Sequence, residues 1–300
     1  MASRAQLLAC GLTKGHLSRA VRAGDLVWVG RAVYALAPLA PRGRHLLSSG
    51  QLDLGYLAVT RAALLSLNAV ADRRTAALVW GMDLLVEPTD VECRVGRSQR
   101  RVKVKGIDAR ASSNARSVQV QVHGLDPIEV STATDTVLDC AIARPLLEAV
   151  VIADSALRVG CVTVDDLVAA AAAYRGPRRP RILKALALID PASGSVLETM
   201  LRVLLLTNGL HPLSQFTVLS GNRVVGRFDF CFDAERLIIE CDGRRWHDSD
   251  DARRKDRHRD NSLQRLGWRI LRFDWDEVRG SPSYVLAAVR DCLELSRLAA

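Results

Sequence analysis

The alternation of apolar and polar positions is clearest in residues 191–300. Apolar residues recur there first at the spacing of a helix, and then in short runs rich in β-branched residues that turn residues separate. The predicted elements are a helix over 196–207, strands over 216–219, 224–232 and 237–242, a helix over 251–266, a strand over 268–273 and a helix over 283–298. This order is typical of an α/β sandwich, in which helices pack on a sheet.

The first 40 residues form a separate pattern. Two short helices are predicted, and the second begins after Thr13, a suitable N-cap, and ends before Gly24. Two strand-like segments follow, 26–29 and 32–36, with a tight turn between them. Helix, turn, helix and a two-strand ribbon is the order of a winged helix.

The outer face of the second helix is basic. Lys14, His16, Arg19 and Arg22 lie on this face, and Arg31 lies at the tip of the ribbon. In a winged helix these side chains would contact DNA, with the helix in the major groove and Arg31 near phosphate or the minor groove. The alternative is a small αβ cap whose Lys and Arg side chains are only solvated.

Residues 50–190 form a mixed region that shows no catalytic constellation. Helices are predicted over 57–69, 73–80, 132–143, 145–157, 163–174 and 178–189, and strands over 91–95, 101–105 and 118–122. The strands are basic, and their charges either add phosphate contacts or form a solvated face. These residues are Arg94, Arg97, Arg100, Arg101, Lys103, Lys105 and Arg110. The predicted role is that of a connector and scaffold.

The fold class is therefore a multidomain α/β (α+β) protein. The predicted domains are a winged helix over 1–40, a mixed α/β to helical connector over 50–190 and the α/β sandwich over 191–300. Residues 37–49, rich in Pro, Gly and Arg, read as a linker.

Composition narrows the class of partner and compartment. The net charge of +9 and the pI of about 9.6 favour a polyanion such as nucleic acid. The seven Cys form no CxxC pair, which favours reduced thiols in the cytoplasm and argues against a zinc ribbon. The chain start lacks the apolar core of a signal peptide, and no run of ~18 apolar residues predicts a membrane span.

The segment 226–247 carries the candidate chemistry. The apolar run Leu237-Ile238-Ile239 predicts a buried strand, and Glu240 and Asp242 at its end point to one face because side chains alternate along a strand. Asp229 lies on the preceding strand, where a hairpin would bring it alongside. Three clustered carboxylates need a compensating cation or proton, and such hard oxygen ligands suit Mg²⁺ or Mn²⁺.

These carboxylates also have an interpretation without a metal. Those at the strand end would form salt bridges with Arg227, Arg244 or Arg269, and Asp229 would cap a turn. Glu198 lies in a broadly apolar helix and needs a partner, which is either Arg202, solvent at the helix start, or the metal site.

Taken together, the residues of 193–298 resemble the very-short-patch-repair-like endonucleases of the PD-(D/E)XK superfamily. The resemblance rests on Glu198, Asp229, Glu240-Cys241-Asp242, Trp246-His247, Asp256 through Asp260 and Gly267-Trp268-Arg269-Ile270-Leu271-Arg272-Phe273. It implies a restriction-endonuclease-like fold and metal-dependent cleavage of phosphodiester bonds.

The resemblance assigns a role to five residues. Asp229 and Glu240 match the family's acidic metal ligands, and Asp242 stands where the wider superfamily carries a lysine. Glu198 matches the helix glutamate that holds a metal-bound water. His247 matches the histidine that activates or orients the attacking water, although a histidine in a loop is also an ordinary surface residue.

The loop and helix after these residues are predicted to contact nucleic acid. Arg245, Arg254 and Arg257 would neutralise phosphate charge, and Trp246 would stack on bases unless it belongs to the core. The alternative for the basic helix is a solvated face. Arg244 and Arg245 fill the loop in which the repair enzymes carry a zinc-binding cysteine, so no zinc is expected.

The N-terminal segment is similar to the winged helix of type IV (AbiEi-type) antitoxins. The similarity rests on Leu12-Thr13, His16-Leu17, Arg22-Ala23-Gly24 and Val29-Gly30-Arg31-Ala32-Val33-Tyr34. The whole chain looks like a class of bacterial proteins that join such a winged helix to a nuclease-like domain.

The sequence thus predicts a metal-dependent DNA endonuclease targeted by a winged helix. The alternative is a DNA-binding transcriptional regulator or antitoxin-like repressor whose nuclease-like domain is not catalytic, and an RNA-processing nuclease would share the chemistry. DNA is the expected partner and Mg²⁺ or Mn²⁺ the expected cofactor. A protein partner, toxin-like or a second copy, is not specified by the sequence.

Overall fold

The chain folds into two compact units, Met1–Ala187 and Leu188–Ala300. A computed structural model describes residues 2–30, 33–36, 54–99, 104, 106–113, 116–122, 126–242 and 250–299. The fold is mixed α/β, with helices and mixed sheets, as the sequence predicts. No helix in the described part of the chain is long and apolar enough to cross a membrane.

The first unit begins with two helices and a small antiparallel sheet of order β1-β3-β2. The elements are β1 (Ala2–Ser3), α1 (Arg4–Ala9), α2 (Lys14–Ala23), β2 (Leu26–Gly30) and β3 (Val33–Leu36). Thr13 caps α2 as predicted, since its Oγ1 accepts the His16 N–H at 3.2 Å, while His16 Nδ1 accepts the Thr13 N–H at 3.3 Å. Strand β1 pairs with β3 and adds a third strand that the pattern did not indicate.

The rest of this unit is a five-stranded mixed sheet followed by helices. Its elements are α3 (Leu54–Leu67), β4 (Val70–Ala71), α4 (Arg73–Val79), β5 (Val91–Val95), β6 (Ile107–Ala111), β7 (Ser117–Val120), β8 (Ile128–Ser131), α5 (Ala133–Ala143), α6 (Leu146–Arg158), α7 (Val164–Ala173) and α8 (Arg179–Leu186). The sheet order is β6-β5-β4-β8-β7. Strands β4, β6 and β8 were not predicted, because they are short and two of them contain charged residues. Most of the predicted strand 101–105 lies outside the described residues.

Buried ion pairs hold this sheet to the helices behind it. Glu92 on β5 is 2% exposed and accepts three bonds from Arg74, from the backbone N–H at 2.9 Å, Nε at 2.9 Å and Nη2 at 2.7 Å. Arg144 binds the same carboxylate. Arg110 on β6 bridges Asp72 and Asp139. The buried carboxylates of Glu92 and Asp72 therefore each meet opposite charges, as a low-dielectric interior requires.

This network corrects one interpretation of the basic strands. Arg94 is only 3% exposed and donates to the carbonyl of Arg116, and Arg110 is bound to two carboxylates. Arg94 therefore does not belong to a solvated face. The Arg110 side chain is 36% exposed, but its guanidinium is held by two carboxylates. Of the predicted basic set, Arg97 is exposed, and Arg100, Arg101, Lys103 and Lys105 lie outside the described residues.

The second unit is a four-stranded sheet with helices. Its elements are α9 (Val196–Thr207), β9 (Leu213–Ser220), β10 (Arg223–Phe232), β11 (Leu237–Asp242), α10 (Asp250–Arg265), β12 (Arg269–Asp274), α11 (Trp275–Gly280) and α12 (Pro282–Ala299). The sheet order is β12-β11-β10-β9. Strands β9, β10 and β11 form the predicted antiparallel meander, and β12 is parallel to β11, so α10 is the crossover helix.

Strand β11 is the centre of this unit. Leu237, Ile238 and Ile239 are fully buried, which explains why three consecutive positions are apolar. Ile238 packs in a cluster with Phe228 and with Leu263 of α10. Since neighbouring side chains alternate, Ile239 faces the opposite side of the sheet. The strand is thereby covered on both faces, and its carboxylate-bearing end is held in place by the core.

Helix α11 is an element that the pattern did not predict. Asp274 caps it by accepting the Glu277 N–H at 2.8 Å, and Glu277 Oε2 accepts the Asp274 N–H at 3.0 Å. This reciprocal capping box is visible in the sequence as Asp-Trp-Asp-Glu. The helix was overlooked because it has only six residues, too few to show a period.

Candidate active site

Glu198 occupies the first turn of α9. Ser195 caps this helix by accepting the Glu198 N–H at 3.1 Å. Glu198 Oε2 then accepts the Gly194 N–H at 2.8 Å and the Gln215 side-chain N–H at 2.9 Å. A side chain at Gly194 would lie 3.1 Å from Glu198 Oε1, so the glycine leaves room for the carboxylate. The neighbour Arg202 reaches Asp190 and the carbonyl of Leu188.

Asp229 lies where strands β10 and β11 separate. Their ladder includes the pair Phe230↔Ile239. One residue before Phe230, Asp229 Oδ2 accepts the Cys241 backbone N–H at 2.8 Å. The Asp229 side chain therefore connects the two strands. Burial raises the pKa of Asp229, and the Glu198 and Glu240 carboxylates raise it further, against the Cys241 hydrogen bond. Asp229 thus lies in a negative environment that a cation would stabilise.

Gln215 joins these two carboxylates. Its side chain donates to Glu198 at 2.9 Å, and it lies close enough to Asp229 to lower the pKa of that carboxyl. Its φ of +53° is unusual for a residue with a Cβ and marks an irregularity in β9 at this point. Sequence reasoning missed Gln215, because a lone glutamine in a strand carries no chemical signal. It is a positioning residue that brings helix α9 and strand β10 to one site.

Glu240 is bound by two arginines. Arg259 of α10 lies 3.0 Å from Glu240 Oε1, and Arg272 of β12 lies 3.0 Å from Glu240 Oε2. Asp260 holds the same Arg272 at 2.6 Å. The salt-bridge interpretation therefore describes Glu240 correctly in kind, but the described partners are Arg259 and Arg272, not Arg227 or Arg269. Arg244 lies outside the described residues. Glu240 and Arg272 are in register in the parallel pair, which the sequence alone did not reveal.

The pKa of the Cys241 thiol reflects the negative charge at the end of strand β11. This pKa is raised first by burial and then by the carboxylates of Asp229, Glu198 and Glu240. The three carboxylates therefore lie close to the same thiol, although the charge of Glu240 is balanced by Arg259 and Arg272. Asp242 is exposed at the end of β11, in register with Asp274. The structure thus brings Glu198 and Asp229 together, with Glu240 nearby and Asp242 at the margin.

The other predicted site residues are placed in varying detail. His247, Trp246, Arg245 and Arg31 lie outside the described residues. Arg254 lies in α10 without a described side chain, and Arg257 is exposed on α10. The four basic residues of α2 are all exposed; they are Lys14, His16, Arg19 and Arg22.

The donor set fits a divalent cation at Glu198 and Asp229. Within the described part of the chain, no three His, Cys, Asp or Glu side chains are close enough together to hold a metal ion, so the metal site of Asp229, Glu240 and Asp242 stays a prediction. Mg²⁺, however, commonly uses only one or two carboxylates, with waters and substrate phosphate completing its shell. Glu198 and Asp229 meet that requirement, since the Glu198 carboxylate is near enough to raise the pKa of Asp229 beyond the effect of burial.

Comparison with known proteins agrees with the nuclease-like part of this description. The family model REase_MTES_1575, a restriction-endonuclease-like domain, matches residues 219–293. This segment contains Asp229, Glu240 and the two arginines that bind Glu240. The match supports a nuclease-like domain in the C-terminal part of the chain, and Glu198 and Gln215 lie before the matched residues.

Two proteins of Mycobacterium tuberculosis are similar along almost the whole chain. They are the uncharacterized proteins MT2308, of strain CDC 1551 / Oshkosh, and Rv2248, of strain ATCC 25618 / H37Rv. Each is 28% identical over 292 residues, which cover 96% of this chain and 100% of the relative. The similarity therefore extends over both units.

Proposed function

We propose that the second unit is an endodeoxyribonuclease that hydrolyses phosphodiester bonds with Mg²⁺ or Mn²⁺. The observation that carries the proposal is the pair of neighbouring carboxylates, Asp229 within the segment that matches a restriction-endonuclease-like domain and Glu198 just before it. Helix α9 supplies one carboxylate and strand β10 the other, so the site depends on the packing of the unit.

Each residue of the site would have a different role in hydrolysis. Glu198 and Asp229 would hold the divalent ion, which when bound polarises the scissile phosphate and lowers the pKa of water. Glu240 holds Arg259 and Arg272 beside this site, and their guanidinium groups would offset the charge that develops on phosphate. His247 is proposed to orient the attacking water, and Asp242 to act at the margin of the metal site.

Glu198→Gln tests this assignment. The glutamine keeps the shape of the side chain and removes its charge, so the protein should fold normally and cleave supercoiled plasmid about 10- to 100-fold more slowly with Mg²⁺. Wild-type cleavage should disappear in EDTA. Glu235→Gln, at the β10–β11 turn, is the charge-matched control. Equal cleavage rates for wild type and Glu198→Gln would show that Glu198 has no role in cleavage.

The helices and ribbon of residues 2–36 are proposed to be a winged helix that targets duplex DNA. The proposal is supported by the exposure of Lys14, His16, Arg19 and Arg22 on α2. Arg19→Ala/Arg22→Ala should weaken duplex binding and reduce the slope of log K against log[salt] by about 2, since each phosphate contact contributes about 0.9. Fluorescence anisotropy over a salt series measures both.

The matched control removes two cations elsewhere in the same unit. Arg178 and Lys184 are both exposed, and Arg178 makes no side-chain cap bond at the start of α8. Arg178→Ala/Lys184→Ala should bind as wild type does. If both double variants lose the same affinity, the effect comes from net charge and not from α2.

A DNA-binding regulator remains the second candidate function. Its support is the double ion pair of Glu240, which a scaffold would keep without a metal. In that case the protein would bind duplex DNA in EDTA and in Mg²⁺ alike and leave plasmid uncut. The same plasmid assay therefore separates the two functions.

A further inference from the structure

A groove runs between the β9–β10 turn and the last turns of α10. It encloses a cavity of about 1040 Å³ and opens to solvent. Most of its lining residues are polar. They include Arg223 beside the turn and five residues of α10, His258, Arg259, Asn261, Gln264 and Arg265. This volume is larger than a single inorganic anion needs and lies near the upper limit of typical small-ligand sites.

The groove combines positive walls with an apolar floor. Arg223 and Arg265 are exposed, and none of the described residues lining the cavity is acidic. Val224 and Val225 of β10 and Leu266 form the apolar part, and Val224 is 61% exposed. Cations beside exposed apolar surface match the two surfaces of a nucleic acid strand, phosphate and sugar or base.

Arg259 connects this groove to the candidate active site. It lines the cavity, and its guanidinium lies 5.3 Å from the centre of the Phe228 ring and 3.0 Å from Glu240 Oε1. Gly226 permits this path, because a Cβ there would lie 2.8 Å from Phe228 and 3.3 Å from Arg259 Cδ. A ligand in the groove would therefore lie alongside the arginine that Glu240 holds.

We propose that this groove binds the sugar-phosphate backbone of a nucleic acid strand that extends from the candidate active site, an inference that deepens the proposed nuclease function. Arg223 and Arg265 would pair with phosphates, and Asn261 and Gln264 would donate hydrogen bonds to phosphate or sugar oxygens. Arg259 stays bound to Glu240 and marks the end of the groove nearest the chemistry. The groove contributes affinity that does not depend on base sequence.

Arg223→Ala/Arg265→Ala tests the groove in the full-length protein. Binding of a labelled single strand and of the same sequence as a duplex is measured by anisotropy in EDTA, so that cleavage plays no part. The slope of log K against log[salt] should fall by about 1.4 for the single strand or about 1.8 for the duplex, the two arms showing which form occupies the groove. The circular dichroism melting temperature checks the fold.

The control Arg279→Ala/Arg290→Ala removes two exposed arginines from α11 and α12, outside the groove. It should keep the wild-type slope. The proposed role of the groove is wrong if Arg223→Ala/Arg265→Ala keeps the wild-type slope, or if both double variants lose the same amount of slope. Either result overturns it even if the protein cleaves DNA. If the protein does not cleave but the groove variant alone loses affinity, the groove stands and the nuclease proposal fails.

Discussion

Asp229→Asn should abolish metal-dependent cleavage, lowering the rate by about 10³-fold, equivalent to ~4 kcal/mol of transition-state stabilisation. Asn keeps an oxygen that can accept the Cys241 N–H, which Asp229 now binds at 2.8 Å. What it removes is the charge that a divalent cation would neutralise beside Glu198. The loss should therefore appear in catalysis and not in the fold.

Stability provides an independent check on this variant. Burial raises the pKa of Asp229, so its ionised form at neutral pH costs folding free energy. The neutral Asn should consequently unfold at an equal or higher urea concentration than wild type. Asp233→Asn, in the exposed turn between β10 and β11, is the control and should cleave normally. Plasmid cleavage by Asp229→Asn at the wild-type rate would exclude Asp229 as a metal ligand.

Glu92→Ala should destabilise the first unit by about 3–5 kcal/mol. Glu92 is 2% exposed and binds Arg74 through three bonds and Arg144 through a fourth. Removing one partner of a buried ion pair leaves cations without compensation in a low-dielectric interior. The same substitution would cost little if the arginines could reach solvent, but the Arg74 and Arg144 side chains are only 13% and 17% exposed.

Urea denaturation and hydrogen exchange can measure this effect together. Because the chain has two units, the exchange of the β5 and α4 amides identifies which unit loses stability. Glu129→Ala on β8 is the control, since Glu129 is exposed and its carboxylate accepts a hydrogen bond from Ser117 at 2.7 Å. Its effect should stay within about 0.5 kcal/mol. Equal unfolding midpoints for the two variants would show that Glu92 is not essential to the network.

Local signals predicted several elements well. Thr13 caps the helix that the sequence assigned to it, because a cap depends on residues within one turn. The run Leu237-Ile238-Ile239 lies in a buried central strand, since only such a strand has two covered faces. Short elements such as β4 and α11 were missed, because they have too few residues for periodicity to emerge.

The site depended on contacts that local signals do not specify. Glu240 meets Arg272 because β12 returns parallel to β11 through α10, which places residues 32 positions apart in register. Gln215 donates to Glu198, 17 residues before it, at a point where β9 has an irregular backbone with φ of +53°. Arg110 of the first unit likewise became part of an ion-pair network once Asp72 and Asp139 came beside it.

The sequence by itself determined the helices and strands with clear periods, the positive charge, and the acidic residues at the end of β11. The tertiary structure alone decided the partners of these acidic residues. Asp229 accepts the Cys241 backbone N–H and lies near Gln215, and Glu240 forms ion pairs with Arg259 and Arg272. The physical reason is range. Capping and periodicity act within a few residues, whereas ion pairs and shared carboxylate sites depend on strand register and on helices that join distant parts of the chain.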